Sequence, residues 1–238
     1  MIKTGICGFA AKRELIYSAL DAVELQETFY SMPSYDKMKK LRSEAPESFD
    51  FSVKVFQGIT HGFNSPTMKK AKNFTPSANV GLLKNTKENL ELWENFRKQT
   101  AVLNPVMYVF QTPPSFGSED QLKQAYGFFR EINGEARIGW EPRGRAYDNL
   151  QMLMKIFEDL SLVHIVDPFK KKPIKAFGLQ YFRLHGKGSG EVNYGYNYTD
   201  NDLFELYNIV KNYDRVYVMF NNIKMFENAK IFKEKFVG

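Results

Sequence analysis

Eight short apolar runs, most of them separated by helix-like segments, constrain this chain more than any other feature. Seven end in a polar or charged cluster: Glu24-Leu25-Gln26, Lys54, Gln111, Glu141-Pro142-Arg143, Asp167, Arg183-Leu184-His185 and Phe220-Asn221-Asn222. The first run, Lys3 to Phe9, ends in small residues. Strand and helix repeated eight times is the sequence form of a (β/α)8 TIM barrel, an α/β fold in which the C-terminal ends of the strands surround the active site. Those seven clusters are therefore where chemistry is sought.

The size agrees. At 238 residues the chain is close to the roughly 250 typical of one such barrel. No Pro/Gly/Ser-rich linker or shift in composition divides it, so residues 1–238 read as a single TIM-barrel domain. An apolar fraction of 43% and an aromatic fraction of 15% exclude a disordered chain. No apolar stretch approaches the ~20 residues of a membrane helix, and the N-terminus leads directly into the first strand without a secretory pattern. The single Cys7 excludes an intramolecular disulfide framework and a cysteine-rich metal site. The expectation is a cytoplasmic protein with neither a membrane nor a disulfide-linked partner. Lys and Arg outnumber Asp and Glu by 33 to 27, a net charge of +6. A basic surface favours anionic partners, nucleic acid among them, although no dense basic run exists beyond Lys170-Lys171-Lys172.

Periodicity predicts strands near 2–9, 22–30, 49–55, 106–110, 136–140, 162–166, 179–184 and 216–220. Helices are predicted at about 11–20, 35–45, 83–99, 118–132, 147–158 and 200–212, with a last one closing the chain. A long excursion from Gln57 to about Asn79 carries Ile59-Thr60-His61-Gly62, Pro66 and Pro76; a loop of that length inside a compact domain is usually functional. A second loop, 186–198, is rich in Gly and Tyr.

Several strand-end motifs resemble one known family. They are Glu24-Leu25-Gln26-Glu27-Thr28-Phe29-Tyr30, Phe51-Ser52-Val53-Lys54 with Ile59-Thr60-His61, Gln111-Thr112-Pro113-Pro114-Ser115-Phe116, Glu141-Pro142-Arg143, Tyr181-Phe182-Arg183-Leu184-His185-Gly186 and Phe220-Asn221-Asn222. In combination they are similar to the YecE-like family, domain of unknown function 72, over nearly the whole chain. The resemblance implies a TIM barrel without a settled activity, and a fold-level analogy to the endonuclease IV-like barrels that cut DNA with metal ions. Two departures stand out: Gln26 where the family usually has Asn, and Cys7-Gly8-Phe9 where a Ser-Gly-Trp type of ending is common.

The residues themselves allow several chemistries. Glu24, Glu141 and Asp167, at the ends of strands two, five and six, could bind a divalent metal or act as general acid and base. They could equally pair with Lys54, Arg143 and Arg183 in a closed network, since buried charges must be paired. His61 and His185 each follow a strand and could ligate metal or move protons; His164 lies mid-strand and reads as structural. No helical His-Glu-x-x-His spacing or tight Asp cluster is present, and the three cations would oppose a metal but suit a phosphate or carboxylate. Gly186, Gly188 and Gly190 lie where barrels often bind phosphate, but their spacing is not that of a P-loop. Tyr194, Tyr196 and Tyr198, with Phe63, Phe116 and Phe169, could form an aromatic rim that stacks bases or sugars, or could simply pack the loops. Of Asn221 and Asn222, adjacent on an extended chain, one is expected to face the mouth.

The expected function is an enzyme acting on a phosphorylated anionic substrate, in its most concrete form a metal-dependent phosphodiester hydrolase of nucleic acid. Glu24, His61, Glu141, Asp167 and His185 would carry catalysis. Gln26, Lys54, Gln111, Arg143, Arg183, Gly186, Tyr194, Tyr196 and Asn221 would hold the substrate. The cofactor is left open, a divalent metal being one choice. The alternatives are a metal-independent lyase or isomerase of a small sugar phosphate or carboxylate, with Lys54 as Schiff-base or proton-transfer group, and a non-catalytic module binding nucleic acid or a small anion.

Overall fold

A computed structural model of the protein describes residues 1–71, 74–175 and 178–238. Its strands are β1 (Ile2–Cys7), β2 (Ala22–Leu25), β3 (Asp50–Lys54), β4 (Met107–Gln111), β5 (Ile138–Glu141), β6 (Val163–His164), β7 (Gln180–Leu184) and β8 (Val216–Phe220). They form one sheet in the order β6-β5-β4-β3-β2-β1-β8-β7. A parallel bridge from Val166, just past β6, to Phe182 in β7 joins the two ends of that order. The α-helices are α1 (Arg13–Ala19), α2 (Glu27–Tyr30), α3 (Tyr35–Glu44), α4 (Gln57–Thr60), α5 (Lys87–Thr100), α6 (Glu119–Ile132), α7 (Leu150–Leu160), α8 (Asp200–Val210) and α9 (Met225–Phe232). The fold class is the (β/α)8 barrel that the alternating pattern predicts.

By density of internal contact the chain forms two compact units. One comprises Met1–Glu24, Ala45–Asp50 and Val163–Gly238; the other comprises Leu25–Glu44 and Phe51–Leu162. In the first, β1 pairs in parallel with β2 and β8, with Cys7 opposite Glu24 and Ile6 opposite Phe220, and β8 pairs with β7, with Leu184 opposite Phe220. In the second, β4 lies between β3 and β5, with Lys54 opposite Val109 and Gln111 opposite Glu141. Parallel pairing carries the last residues of neighbouring strands to the same edge, which is why strand-end residues far apart in sequence become neighbours. Large aromatics fill the space between β4, β5 and the helices of the second unit. Trp140 stacks on Phe157 with ring centroids 5.3 Å apart, and Trp93 packs edge-on to Tyr108 at 5.1 Å. Burial of rings this size supplies much of the hydrophobic stabilisation of such a layer.

Capping chemistry sets the helix starts. Ser118 and Gln121 form a reciprocal capping box at α6, Thr199 and Asp202 form one at α8, and Thr86 and Asn149 cap α5 and α7. The helix expected from 83 starts at 87, as α5, because Leu82 and Leu83 have φ of 52° and 51°, a left-handed pair that cannot continue into a right-handed helix. The second strand, read as 22–30, ends at Leu25. The Thr28 hydroxyl donates to the carbonyls of Leu25 (3.0 Å) and Lys54 (2.7 Å), and residues 27–30 wind into one helical turn. The sixth strand shrinks from the expected 162–166 to two residues plus the Val166 bridge.

Candidate functional site

In the second unit the strand ends assemble one polar corner. Lys54, the last residue of β3, is buried, and its Nζ lies 4.4 Å from the centre of the Phe29 ring. His61 follows the single turn of α4, packs edge-on against that same ring at 5.1 Å, and is only 5% exposed. Its Nδ1 is 2.8 Å from the Thr60 hydroxyl. Burial, then the charges of Lys54 and Arg143, lower the His61 pKa to about 3. The ring is therefore neutral at any ordinary pH. The Thr60 hydroxyl occupies Nδ1, and Nε2 makes no hydrogen bond among the described residues. At the end of β5, Glu141 Oε1 accepts from Arg143 Nε at 2.6 Å, and Glu141 is itself buried. Gln111 sits across from it in register. His61 and Gln111 are also walls of a cavity of about 800 Å³ formed by the loops that follow β3 and β4. Lys54, His61, Gln111, Glu141 and Arg143 thus lie in one unit, His61 within reach of the charges of Lys54 and Arg143. Gln26, half-buried at the entrance to α2, lies in the same unit but does not line that cavity.

The first unit holds a different arrangement. Arg183 in β7 and Glu24 in β2 form an ion pair at 3.0 Å with both side chains at 0% exposure, and the Tyr181 hydroxyl donates to the other Glu24 oxygen at 2.9 Å. Tyr181 stacks on Tyr217, whose hydroxyl donates to Asp50 at 2.6 Å, and Asp50 also pairs with Lys3. A line of polar groups therefore runs along the inner face of β7, β8 and β1. Tyr181 was not singled out in the sequence; its place two residues before Arg183 on the same strand face was the available signal. Asp167 accepts from the backbone N–H of Phe169 (3.0 Å) and of His185 (2.9 Å), so it fixes the loop after β6 to the end of β7. His185 is buried with its ring edge-on to Tyr194 at 6.0 Å.

The glycine- and tyrosine-rich loop is a folded element. Gly186 has φ of +85°, and a Cβ there would meet the Asn193 carbonyl oxygen at 2.1 Å. Close backbone approach does occur at Gly186, and the group that approaches is the loop's own carbonyl. The Gly186 N–H also donates to the buried Tyr198 hydroxyl at 2.7 Å. Burial, then the charge of Asp167, push the Tyr198 pKa up. Tyr196 donates to Asp202 at 2.8 Å and Tyr194 remains exposed. Burial works to raise the Asp202 carboxyl, but bonds from Thr199, Lys187 and Tyr196 outweigh it and hold the pKa at about 2. Tyr198 and Phe116 are buried and so join no rim. Asn222 is the buried member of its pair, donating to the Tyr196 carbonyl and to Asn228, each at 2.8 Å; Asn221 is the half-exposed one. His164, which ends β6 where a mid-strand place was expected, accepts from the Ile174 N–H at 3.0 Å, a structural bond. Gly186→Ala is expected to cost about 2 kcal/mol or more, from the left-handed backbone and the displaced Asn193 carbonyl together. Thermal unfolding checks this, and an unchanged melting temperature would show that the loop does not depend on that closure.

A (β/α)8 fold with a polar corner at the strand ends and a cavity beside it is the class so defined. The model of the family described as "Protein of unknown function DUF72" matches residues 10–237, and the chain belongs to that family. Among solved structures it is similar to a DUF72 family protein from Enterococcus faecalis V583, with TM-score 0.72 and 17% identity over 98% of this chain and 94% of that one. It is also similar to a xylose isomerase domain protein from Alicyclobacillus acidocaldarius, with TM-score 0.54 and 12% identity over 99% and 96%. A xylose isomerase domain containing protein from Salmonella typhimurium LT2 gives TM-score 0.55 and 13% identity over 98% and 96%. At these identities the likeness is one of fold alone. No curated protein matches the chain. No helix of the described residues is long and apolar enough to cross a membrane, and the lone Cys7 is buried.

Proposed function

We propose that the protein is an enzyme acting on a small phosphorylated anionic substrate, bound in the cavity beside His61. The observation that carries this is His61 itself. A ring that is 95% buried, neutral, satisfied at Nδ1 and open at Nε2 lines the cavity while two cations bear on it. A neutral imidazole in a positive field suits donation of a hydrogen bond to a substrate oxygen, with Lys54 and Arg143 stabilising the negative charge. Glu141, oriented by Arg143, is the carboxylate of that corner and the candidate general base. The cavity volume falls within the ~300–1,000 Å³ of small-molecule sites.

Two features favour this over the nucleic-acid hydrolase. Among the described residues no group of three or more His, Cys, Asp or Glu side chains is arranged to hold a metal ion. Glu24 and Arg183 are fully buried and Asp167 holds backbone N–H groups, which supports a framework role for all three. The test has a binding arm and a turnover arm. Inorganic phosphate in the millimolar range is expected to raise the melting temperature of the protein, and Lys54→Met is expected to abolish that rise. Incubation with a mixture of phosphorylated metabolites, followed by phosphorus NMR, is expected to show a protein-dependent change that Glu141→Gln slows at least 100-fold. No phosphate effect, or oligonucleotide binding that weakens steeply with salt, would overturn the reading in favour of nucleic acid or no anion at all.

A further inference from the structure

We infer that the substrate's anionic group is carried on a flat, apolar ring rather than on a polyhydroxylated sugar. This rests on the reading above that the cavity beside His61 takes a phosphorylated anion. The argument comes from the apolar part of the cavity wall, which is built by Phe63, Pro66, Val80, Leu82, Pro113 and Pro114. These side chains offer ring faces and aliphatic surface and no hydrogen bonds. Phe63 is 48% exposed and makes no ring-to-ring contact among the described residues, although an aromatic ring is normally packed against something. Among the described residues no Asp or Glu lines the cavity.

Asn64 and Ser115 are exposed polar members of the wall, and the others are largely committed elsewhere. Lys84 donates to the Ala78 carbonyl. Gln121 Oε1 accepts from the N–H groups of Gly117 (2.9 Å) and Ser118 (3.1 Å) as part of the α6 cap. The hydroxyls of Ser65 and Thr67 bond to each other at 3.0 Å. A sugar phosphate placed here would surrender the hydration of several hydroxyls to an apolar wall with few partners to replace it, a substantial penalty. A planar ring would gain contact with Phe63 and the prolines while its phosphate met His61 in the field of Lys54 and Arg143. The division of labour is one charged corner and one apolar slot, the usual form of a small-molecule pocket. The ligand class that fits is an aryl or heteroaryl phosphate.

Calorimetric titration with three probes decides it: inorganic phosphate, glucose 6-phosphate and phenyl phosphate. Phenyl phosphate is expected to bind at least tenfold more tightly than either of the others. Phe63→Ala, a substitution at a half-exposed side chain, is expected to remove most of that advantage and to leave inorganic phosphate binding unchanged. If glucose 6-phosphate binds as tightly as phenyl phosphate or more so, the ring assignment is overturned and the anion site stands. If phenyl phosphate keeps its advantage in Phe63→Ala, the ring lies elsewhere and the assignment is equally overturned. If none of the three binds, the anion site itself is refuted and the ring assignment falls with it.

Discussion

Glu24→Ala is expected to destabilise the protein by about 3–5 kcal/mol, because removing one member of a buried ion pair strands the other. Arg183 would keep its charge at 0% exposure without the carboxylate 3.0 Å away, and the Tyr181 hydroxyl would lose its bond to Glu24 as well. Such a loss is a large share of the roughly 5–15 kcal/mol that holds an ordinary domain together. In a chain of this length it corresponds to a fall of about 10 °C in melting temperature. Glu24→Gln keeps the shape and an acceptor for Tyr181 but removes the charge, so an intermediate loss is expected. A double variant, Glu24→Gln with Arg183→Met, should recover part of the single loss, since a neutral pair no longer has a buried charge to compensate. Urea unfolding of the three variants tests the account. Equal stability of parent and Glu24→Ala would mean that the pair is not what secures β2 to β7.

The part of the fold that was legible in the sequence is the part written in periodicity. Runs such as Val216 to Phe220 are short and rich in β-branched and aromatic residues, as buried strands are, and their number and spacing left few alternatives. What escaped was decided by local backbone chemistry. The alternation of Ala22 to Tyr30 reads as one strand, yet the Thr28 hydroxyl turns the chain after Leu25. Leu82 and Leu83 carry the right residues for a helix and the wrong dihedral angles. In the candidate site, strand-end position brings Gln111 and Glu141 side by side, because parallel register carries strand ends to one edge. It could not tell a residue that meets solvent from one consumed by the framework. Asp167, Glu24 and Glu141 read alike in sequence and all are buried, so only their bonding partners distinguish them. The tyrosine repeat was read as a rim, but Tyr198 is the post on which the Gly186 turn rests. The apolar slot went unseen because Phe63, Pro113 and Pro114 come from two loops with no shared pattern.

Stability is expected to fall as the solution is acidified below neutrality, with His61 contributing to the loss. Its folded pKa of about 3 lies below the ordinary value of 6.5, so the folded state resists the proton that the unfolded chain accepts. Above pH 6.5 both states are neutral and the group contributes no pH dependence. Between 6.5 and about 3 the unfolded state alone binds the proton, and stability drops by about 1.4 kcal/mol for each pH unit. By pH 4.5 the loss is on the order of 3 kcal/mol. Carboxylates held low in the fold act in a different range. Asp202, at about 2 against its ordinary 3.8, contributes stability that is present above 3.8 and lost only as pH falls toward 2. The two effects are separated by His61→Gln, which retains a polar side chain without the titration. Unfolding free energies measured from pH 7.5 to 4.5 should show the parent losing ground to the variant with a slope close to one proton. Parallel curves for the two proteins would mean that His61 is not held neutral by burial and by Lys54 and Arg143. The same result would remove the feature on which the anion site depends, because a ring free to titrate would not be fixed as the neutral donor.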